Sequence, residues 1–171
     1  MTDALKDLPI TPEIYRQTLE RLDLQTVCLE EVHSFCDRDV LEQGGVTIGI
    51  EEETFARQTP TRYLAYIHYH LMGTQAATAA LKLDARYCLI FDTDKTVPSG
   101  FFDVFRTLNL KLTTLPYFRE LVASITGRME LPTLTLPYNL FIPNDDPDVP
   151  TPTIEENQPG ALSALDEPVK Y

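Results

Sequence analysis

The sequence lacks the features that mark membrane-spanning and exported proteins. Its 171 residues contain no run of eighteen apolar residues, and the first nine, MTDALKDLP, are polar and acidic. No segment is therefore expected to cross a membrane, and no signal peptide is expected. The length suits one domain with a sizeable core, so we predict a soluble, cytoplasmic protein.

Positive charge and cysteine are also scarce. Fourteen lysines and arginines against 26 aspartates and glutamates give a formal net charge of −12, which opposes binding to nucleic acids and to anionic lipids. Three cysteines, Cys28, Cys36 and Cys88, cannot all pair within one chain, which argues against a secreted disulfide framework. We expect reduced thiols, most of them buried.

Motifs of catalysis are missing as well. The sequence has no Gly-x-Ser-x-Gly elbow, no P-loop and no dinucleotide fingerprint. The nearest approach to a metal motif is Cys28-x4-His33-x2-Cys36, with His68 and His70 on one face of a later strand. Because Cys28 and His33 are expected on opposite strand faces, we predict no metal site. Since the catalytic motifs are missing too, we predict no cofactor and no enzyme. A metal-dependent enzyme is kept as the third hypothesis.

Hydrophobic alternation predicts four strands. Residues 24–35 are rich in β-formers without clean alternation, which is typical of a bent or bulged strand, and residues 46–52 form the second strand. A linker follows at 51–61. The stretches 61–72 and 80–92 alternate cleanly, and the short segment between them predicts an antiparallel hairpin.

Helices are predicted at three places. Thr11-Pro12-Glu13 is typical of a helix start, so a helix is expected over 12–22, and a short apolar helix follows Gly100. Pro116 suits the first turn of a helix and Gly127 the residue after its end, which predicts a longer helix over 116–126. The two C-terminal helices are natural covers for one apolar face of the sheet.

The composition also divides the chain into three parts. Residues 1–23 are interpreted as an N-terminal helical extension and residues 24–142 as one α+β domain. After Pro143 the chain is rich in proline and acid, which predicts a flexible tail over 143–171.

One segment resembles a known family. A Pro-Tyr helix start, an Arg-Glu pair, a Gly-Arg stop and a Leu-Pro-x-Leu-x-Leu run resemble the C-terminal part of the SecB family of export chaperones. These residues are Pro116, Tyr117, Arg119, Glu120, Gly127, Arg128, Leu131, Pro132, Leu134 and Leu136. The resemblance covers about residues 22–142 and implies an α+β fold: a four-stranded antiparallel sheet with a long crossover after the second strand, covered on one face by a short and a long C-terminal helix.

The resemblance implies a function that needs no ATP. Members of the family hold unfolded client polypeptides in hydrophobic grooves and assemble as a dimer of dimers, so a homodimer or homotetramer is expected. Apolar side chains bind many sequences because area burial is not directional. The candidate groove residues are Phe35, Val40, Leu41, Phe55, Phe101, Phe102, Phe105, Tyr138 and Phe141.

The family also delivers clients to the translocase motor SecA through acidic residues on the sheet. In this sequence Glu30 aligns with one docking acid, whereas Thr26 and Leu89 stand where two others are usual. Export coupling is therefore a weaker expectation than polypeptide binding. The alternative is an interaction or assembly protein for a single partner, such as an antitoxin-type chaperone. The run Glu51-Glu52-Glu53 is interpreted either as an acidic docking patch or as a solvated strand end.

Overall fold

Four long strands form one antiparallel sheet in the computed structural model, which describes residues 10–42, 44–131 and 133–136. The strands are β1 (Asp23–Cys36), β2 (Thr47–Gln58), β3 (Arg62–Gln75) and β4 (Thr78–Asp92). Their order across the sheet is β1-β4-β3-β2, and every neighbouring pair is antiparallel. The predicted α+β class and four-stranded sheet are confirmed.

The long crossover joins β1 to β2 and not β2 to β3 as predicted. It carries the short helix α2 (Arg38–Leu41) and connects the two edges of the sheet. The predicted linker at 51–61 is wrong, because β2 continues to Gln58 and then turns tightly, with the Thr59 N–H donating to the Arg62 carbonyl at 2.8 Å. Alternate burial along β2 accounts for its length, since every second side chain faces the core.

Residues 101–128 are helical without interruption. They comprise α3 (Phe101–Phe105), a π-helical segment (Arg106–Leu110) and α4 (Lys111–Arg128). The predicted start at Pro116 is wrong, since Pro116 lies inside α4. A proline in a helix interior costs about 3 kcal/mol. Burial of three side chains, Leu115, Phe118 and Val122, contributes about 1.5–3 kcal/mol each and offsets that cost.

Aromatic packing holds these helices on one face of the sheet. Tyr69 of β3 stacks on Phe118 of α4 with ring centroids 4.3 Å apart, and Phe91 of β4 meets Phe105 edge to face. Burial raises the pKa of Tyr69 well above its ordinary value, so its hydroxyl stays protonated. The Thr114 hydroxyl donates to the Leu110 carbonyl at 2.8 Å, which leaves its oxygen to accept the Tyr69 hydrogen bond at 2.7 Å.

The N-terminal helix packs against the same helical layer. Helix α1 (Pro12–Leu19) ends three residues earlier than predicted, and its N-cap Thr11 accepts a hydrogen bond from the Ile14 N–H. Tyr15 stacks on Phe101 at 5.2 Å and its hydroxyl donates to Asn109 Oδ1 at 2.6 Å. The predicted extension is therefore attached to the domain by side-chain contacts.

Two further sequence predictions concern the C-terminal tail and membrane-spanning segments. The predicted tail, 143–171, lies outside the described residues, so its flexibility and the three-part division of the chain stay predictions. Within the described part of the chain, no helix is both long and apolar enough to cross a membrane.

Candidate polypeptide-binding site

The strand register divides the side chains of the sheet between two faces. On β4 the residues from Leu83 to Phe91 at odd positions are buried beneath the helices, and their partners on β1 and β3 share that side. We call the opposite side the open face. The open face carries most of the charged and histidine side chains of the sheet.

Strand β1 exposes apolar side chains on the helix-covered side. Leu24, Leu29 and Val32 pair with buried residues of β4, yet they are 43%, 44% and 40% exposed. They lie at the edge of the sheet, whereas α4 packs on the two central strands, β3 and β4. We call these three residues the β1 strip. Three large apolar side chains that follow one edge strand form an exposed surface of the kind that marks binding sites.

The backbone of β1 adds to this surface. As an edge strand, β1 has β4 as its only partner strand among the residues that the structure describes. An edge strand can hydrogen-bond to an extended polypeptide, and alternate side chains then contact that polypeptide. Register shifts at Gln25 and Glu30 bend the strand and limit how long such a pairing can continue.

The predicted groove residues do not come together as one site. Phe101 and Phe105 are 0% and 2% exposed and belong to the core, so in this structure they offer no surface to a ligand. Phe102 is half-buried and packs against the same core. Their burial was not evident from the sequence, because the aromatic rings that cover them come from other elements. Tyr15 and Tyr63 pack against Phe101, and Phe91 packs against Phe105.

The other predicted groove residues are spread over the molecule. Phe35 and Phe55 are 50% and 42% exposed, but they lie on the open face at opposite edges of the sheet. Phe55 stacks on Tyr66 with centroids 4.4 Å apart. Val40 and Leu41 are half-buried in α2. The last two predicted residues, Tyr138 and Phe141, lie outside the described residues, and a polypeptide-binding role for the whole set stays a prediction.

The crossover is fixed at the N-terminal end of its short helix. The Asp37 N–H donates to the Ala80 carbonyl at 2.9 Å, and the Asp37 carboxylate caps α2 by accepting from the Val40 N–H at 3.2 Å. Arg38 Nη2 donates to the Met129 carbonyl at 2.8 Å, just beyond α4. These bonds hold α2 between β4 and the C-terminal end of α4.

Glu30, the predicted SecA-docking residue, lies at a bulge of β1. Its carboxylate is 3.4 Å from Arg86 Nε, and the neighbouring Glu31 carboxylate is 2.7 Å from Arg86 Nη2. Both contacts place the carboxylates on the open face. Leu89, which stands where the resemblance places another docking acid, is 0% exposed beneath the helices, so it offers no surface to a partner in this structure.

The acidic run of β2 is neither a strand end nor one patch. Glu51 and Glu53 lie on the open face, opposite His70 and His68. Glu52 lies on the helix-covered side and forms an ion pair with Lys111 of α4. The interpretation of a solvated strand end is therefore wrong, because the run lies in the middle of β2.

The first proposed metal ligands are also arranged differently. Cys28 pairs with Cys88 and His33 with Asp84, so both lie on the open face and not on opposite faces as predicted. The bulge at Glu30 causes the difference, since one extra residue reverses the alternation. Cys36 pairs with Leu81 and lies on the other side. Among the described residues, the one candidate metal group combines His68 and His70, which the sequence indicated, with Glu53, which it did not.

The similarity of this chain to known proteins lies in its architecture. No protein-family model matches the sequence, and no curated protein matches it significantly. The antiparallel sheet, its crossover and the C-terminal helices nevertheless define a SecB-like fold, which confirms the fold implied by the resemblance.

One solved structure with this fold is the Mycobacterium tuberculosis Rv1957 SecB-like chaperone in complex with a ChAD peptide from the Rv1956 HigA1 antitoxin. It is 22% identical, with a TM-score of 0.64, and the match covers 73% of this chain and 95% of that chain. At this identity the likeness shows the fold alone. A protein of unknown function from Streptococcus agalactiae matches with a TM-score of 0.41 and 10% identity over 68% of this chain and 97% of its own. This similarity is too low to support any conclusion about fold or function.

Proposed function

We propose that this protein is a SecB-like chaperone that binds unfolded polypeptide segments without ATP. The observation that carries the proposal is the β1 strip, Leu24, Leu29 and Val32, whose side chains are 40–44% exposed on an edge strand of a SecB-like sheet. Helix α2, with its half-buried Val40 and Leu41, follows directly after β1 in the chain. A chaperone of this kind is a binding protein, and no catalytic step belongs to the proposal.

The two parts of this surface supply different kinds of affinity. Apolar side chains gain about 25 cal/mol per Å² of area removed from water, whatever the sequence of the client. Backbone pairing with an edge strand is equally independent of the client sequence. Both terms favour extended, apolar chains over folded proteins, which is the selectivity that a holdase needs.

The experiment is suppression of aggregation. Several unrelated client proteins are diluted from denaturant with increasing amounts of the full chain, without nucleotide, and light scattering is followed. We expect scattering to fall at ratios near one chaperone assembly per client. If no client is protected, the holdase proposal is wrong.

The second candidate function is binding of one dedicated partner. In favour of it, the similar M. tuberculosis chaperone was solved with a single defined peptide from an antitoxin. A protein of this kind would hold one stoichiometric partner through the same surface and leave unrelated clients unprotected. Recovery of one such partner by pull-down, together with a negative holdase assay, distinguishes it from the first proposal.

We further propose that the chain forms a homodimer or homotetramer through α4. Leu112 is 74% exposed on this helix, and Leu108 in the preceding segment is 52% exposed, which is a large apolar area for one helical surface. The variant Leu112→Lys places a charge on that area, so we expect the mass measured by light scattering to fall to that of a smaller species. Met72→Lys, a change of a 45% exposed residue on the open face, is the control and should keep the mass. An unchanged mass for Leu112→Lys contradicts an interface at this position.

Glu30 is the residue through which we propose that any docking to SecA would occur. Its pairing with Arg86 offsets part of its charge, so a purely acidic docking surface is not present around it. If the chain delivers clients to SecA, Glu30→Lys should weaken binding of purified SecA at least tenfold while client binding is unchanged. Equal SecA binding by both forms removes Glu30 from this role.

A further inference from the structure

Two histidine rings lie together on the open face of β3. The His68 and His70 ring centroids are 4.0 Å apart, and Glu53 of β2 stands directly opposite His68 in the strand register. One ligand atom from each of these three residues lies within 4.8 Å of the other two. Residues from two paired strands thus bring two imidazoles and one carboxylate to one point.

Two ring nitrogens of this cluster are buried without a hydrogen-bond partner among the described residues. They are the Nε2 atoms of His68 and His70. A buried polar atom without a partner costs about 1–3 kcal/mol, so two of them side by side require an explanation. A metal ion that accepts both lone pairs removes that cost.

The orientation of His70 supports the same interpretation. Its Nδ1 lies 2.7 Å from Asp84 Oδ1 on the adjacent strand β4. A neutral imidazole that donates its Nδ1 proton to a carboxylate presents the Nε2 lone pair in the opposite direction. This carboxylate–histidine arrangement is the usual support of a metal-bound histidine in proteins.

The surrounding charges also suit a cation. Glu51 lies opposite His70 and Asp84 contacts it, which adds negative charge beside the cluster. The positive group opposite His68 in the strand register, Arg86, is paired with Glu30 and Glu31, so its charge is largely offset.

We propose that Glu53, His68 and His70 bind one divalent transition-metal ion of the zinc class, with Asp84 as the residue that positions His70. Ligands about 2.0–2.1 Å from a tetrahedral ion lie roughly 3.3 Å from one another. Glu53 is exposed, so its long side chain has room to turn its carboxylate toward the two rings. Three protein ligands leave the fourth position for water or for a ligand from a partner. The ion would link β2 to β3 on the face away from the β1 strip, so this proposal is independent of the chaperone proposal.

The test is a titration of the metal-free full chain with zinc chloride against a chromophoric chelator. We expect one zinc ion per chain and a rise in melting temperature with zinc concentration, since an ion that binds only the folded state stabilises it. His68→Gln and His70→Gln should each weaken zinc binding at least a hundredfold. Asp84→Asn should weaken it about 10–100-fold, the usual effect of losing a carboxylate that supports a ligand.

Matched variants separate this site from other ligands. His33→Gln removes the remaining histidine, which lies on the same face and contacts Glu31 at 2.9 Å, and should leave zinc affinity unchanged. Circular dichroism of each metal-free variant checks its fold, and the exposed Glu53→Gln serves as a second ligand variant if a histidine variant does not fold. The proposal is overturned if the wild-type chain binds no zinc, if the histidine variants bind it equally well, or if zinc is lost only on Cys28→Ser.

Discussion

Replacing Phe118 with alanine is expected to lower the free energy of unfolding by about 3–5 kcal/mol. Phe118 is 0% exposed and stacks on Tyr69, so it fixes α4 to the central strand β3. Its loss removes a large buried apolar surface and leaves a cavity between the helix and the sheet. The measurement is chemical denaturation of both proteins, followed by far-ultraviolet circular dichroism.

The neighbouring residue provides the control for this change. Tyr117 is 52% exposed on the same turn of α4, and Tyr117→Ala should alter the free energy of unfolding of the chain by no more than about 1 kcal/mol. Similar losses for both variants would mean that α4 does not pack on β3 through Phe118.

The second large effect is expected on client binding. The double variant Leu29→Glu/Val32→Glu places two charges in the β1 strip, where the wild-type side chains are 44% and 40% exposed. Each apolar side chain contributes about 1.5–3 kcal/mol when it is fully buried, and only part of that is realised on binding. We therefore expect the concentration needed to suppress aggregation of an unfolded client to rise by about tenfold to a hundredfold.

A variant on the opposite side of the sheet tests whether the position of the introduced charge decides the loss of client binding. Met72 is 45% exposed on the open face, so Met72→Glu changes the charge of the chain without touching the β1 strip. We expect it to protect clients as well as the wild type. If Met72→Glu is as defective as the double variant, clients are bound by net charge or by the open face, and the proposed surface is misplaced.

Alternation along β3 and β4 was sufficient to predict the central hairpin. Residues such as Ile67 and Leu89 are 0% exposed and repeat with the period of a strand that is buried on one face. The start of α4 could not be predicted in the same way. Pro116 is a helix-start signal in isolation, and only the burial of Leu115 and Phe118 against the sheet makes a continuous helix through it more favourable.

The candidate site was less accessible to sequence reasoning. Two bulges break the alternation of β1, so nothing local indicates that Leu24, Leu29 and Val32 share one side. Conversely, the aromatic run at Phe101 and Phe105 resembles a binding surface until its partners on other elements are known. The metal cluster depends on the register between β2 and β3, which local spacing does not contain.

The order of strands in the sheet has a consequence for biosynthesis. Of the four strands in the described part of the chain, β1 leaves the ribosome first and its partner β4 leaves last, and Asp23 pairs with Asp92. The three consecutive strands β2, β3 and β4 can form a meander before β1 pairs with β4, since strand pairs distant in sequence form late. Until β4 is complete, the nascent chain is itself an unfolded segment with exposed leucine and valine, the type of chain that the finished protein is proposed to hold. Under the proposed function, β1 of a nascent chain would be a suitable client for a finished copy of the same protein.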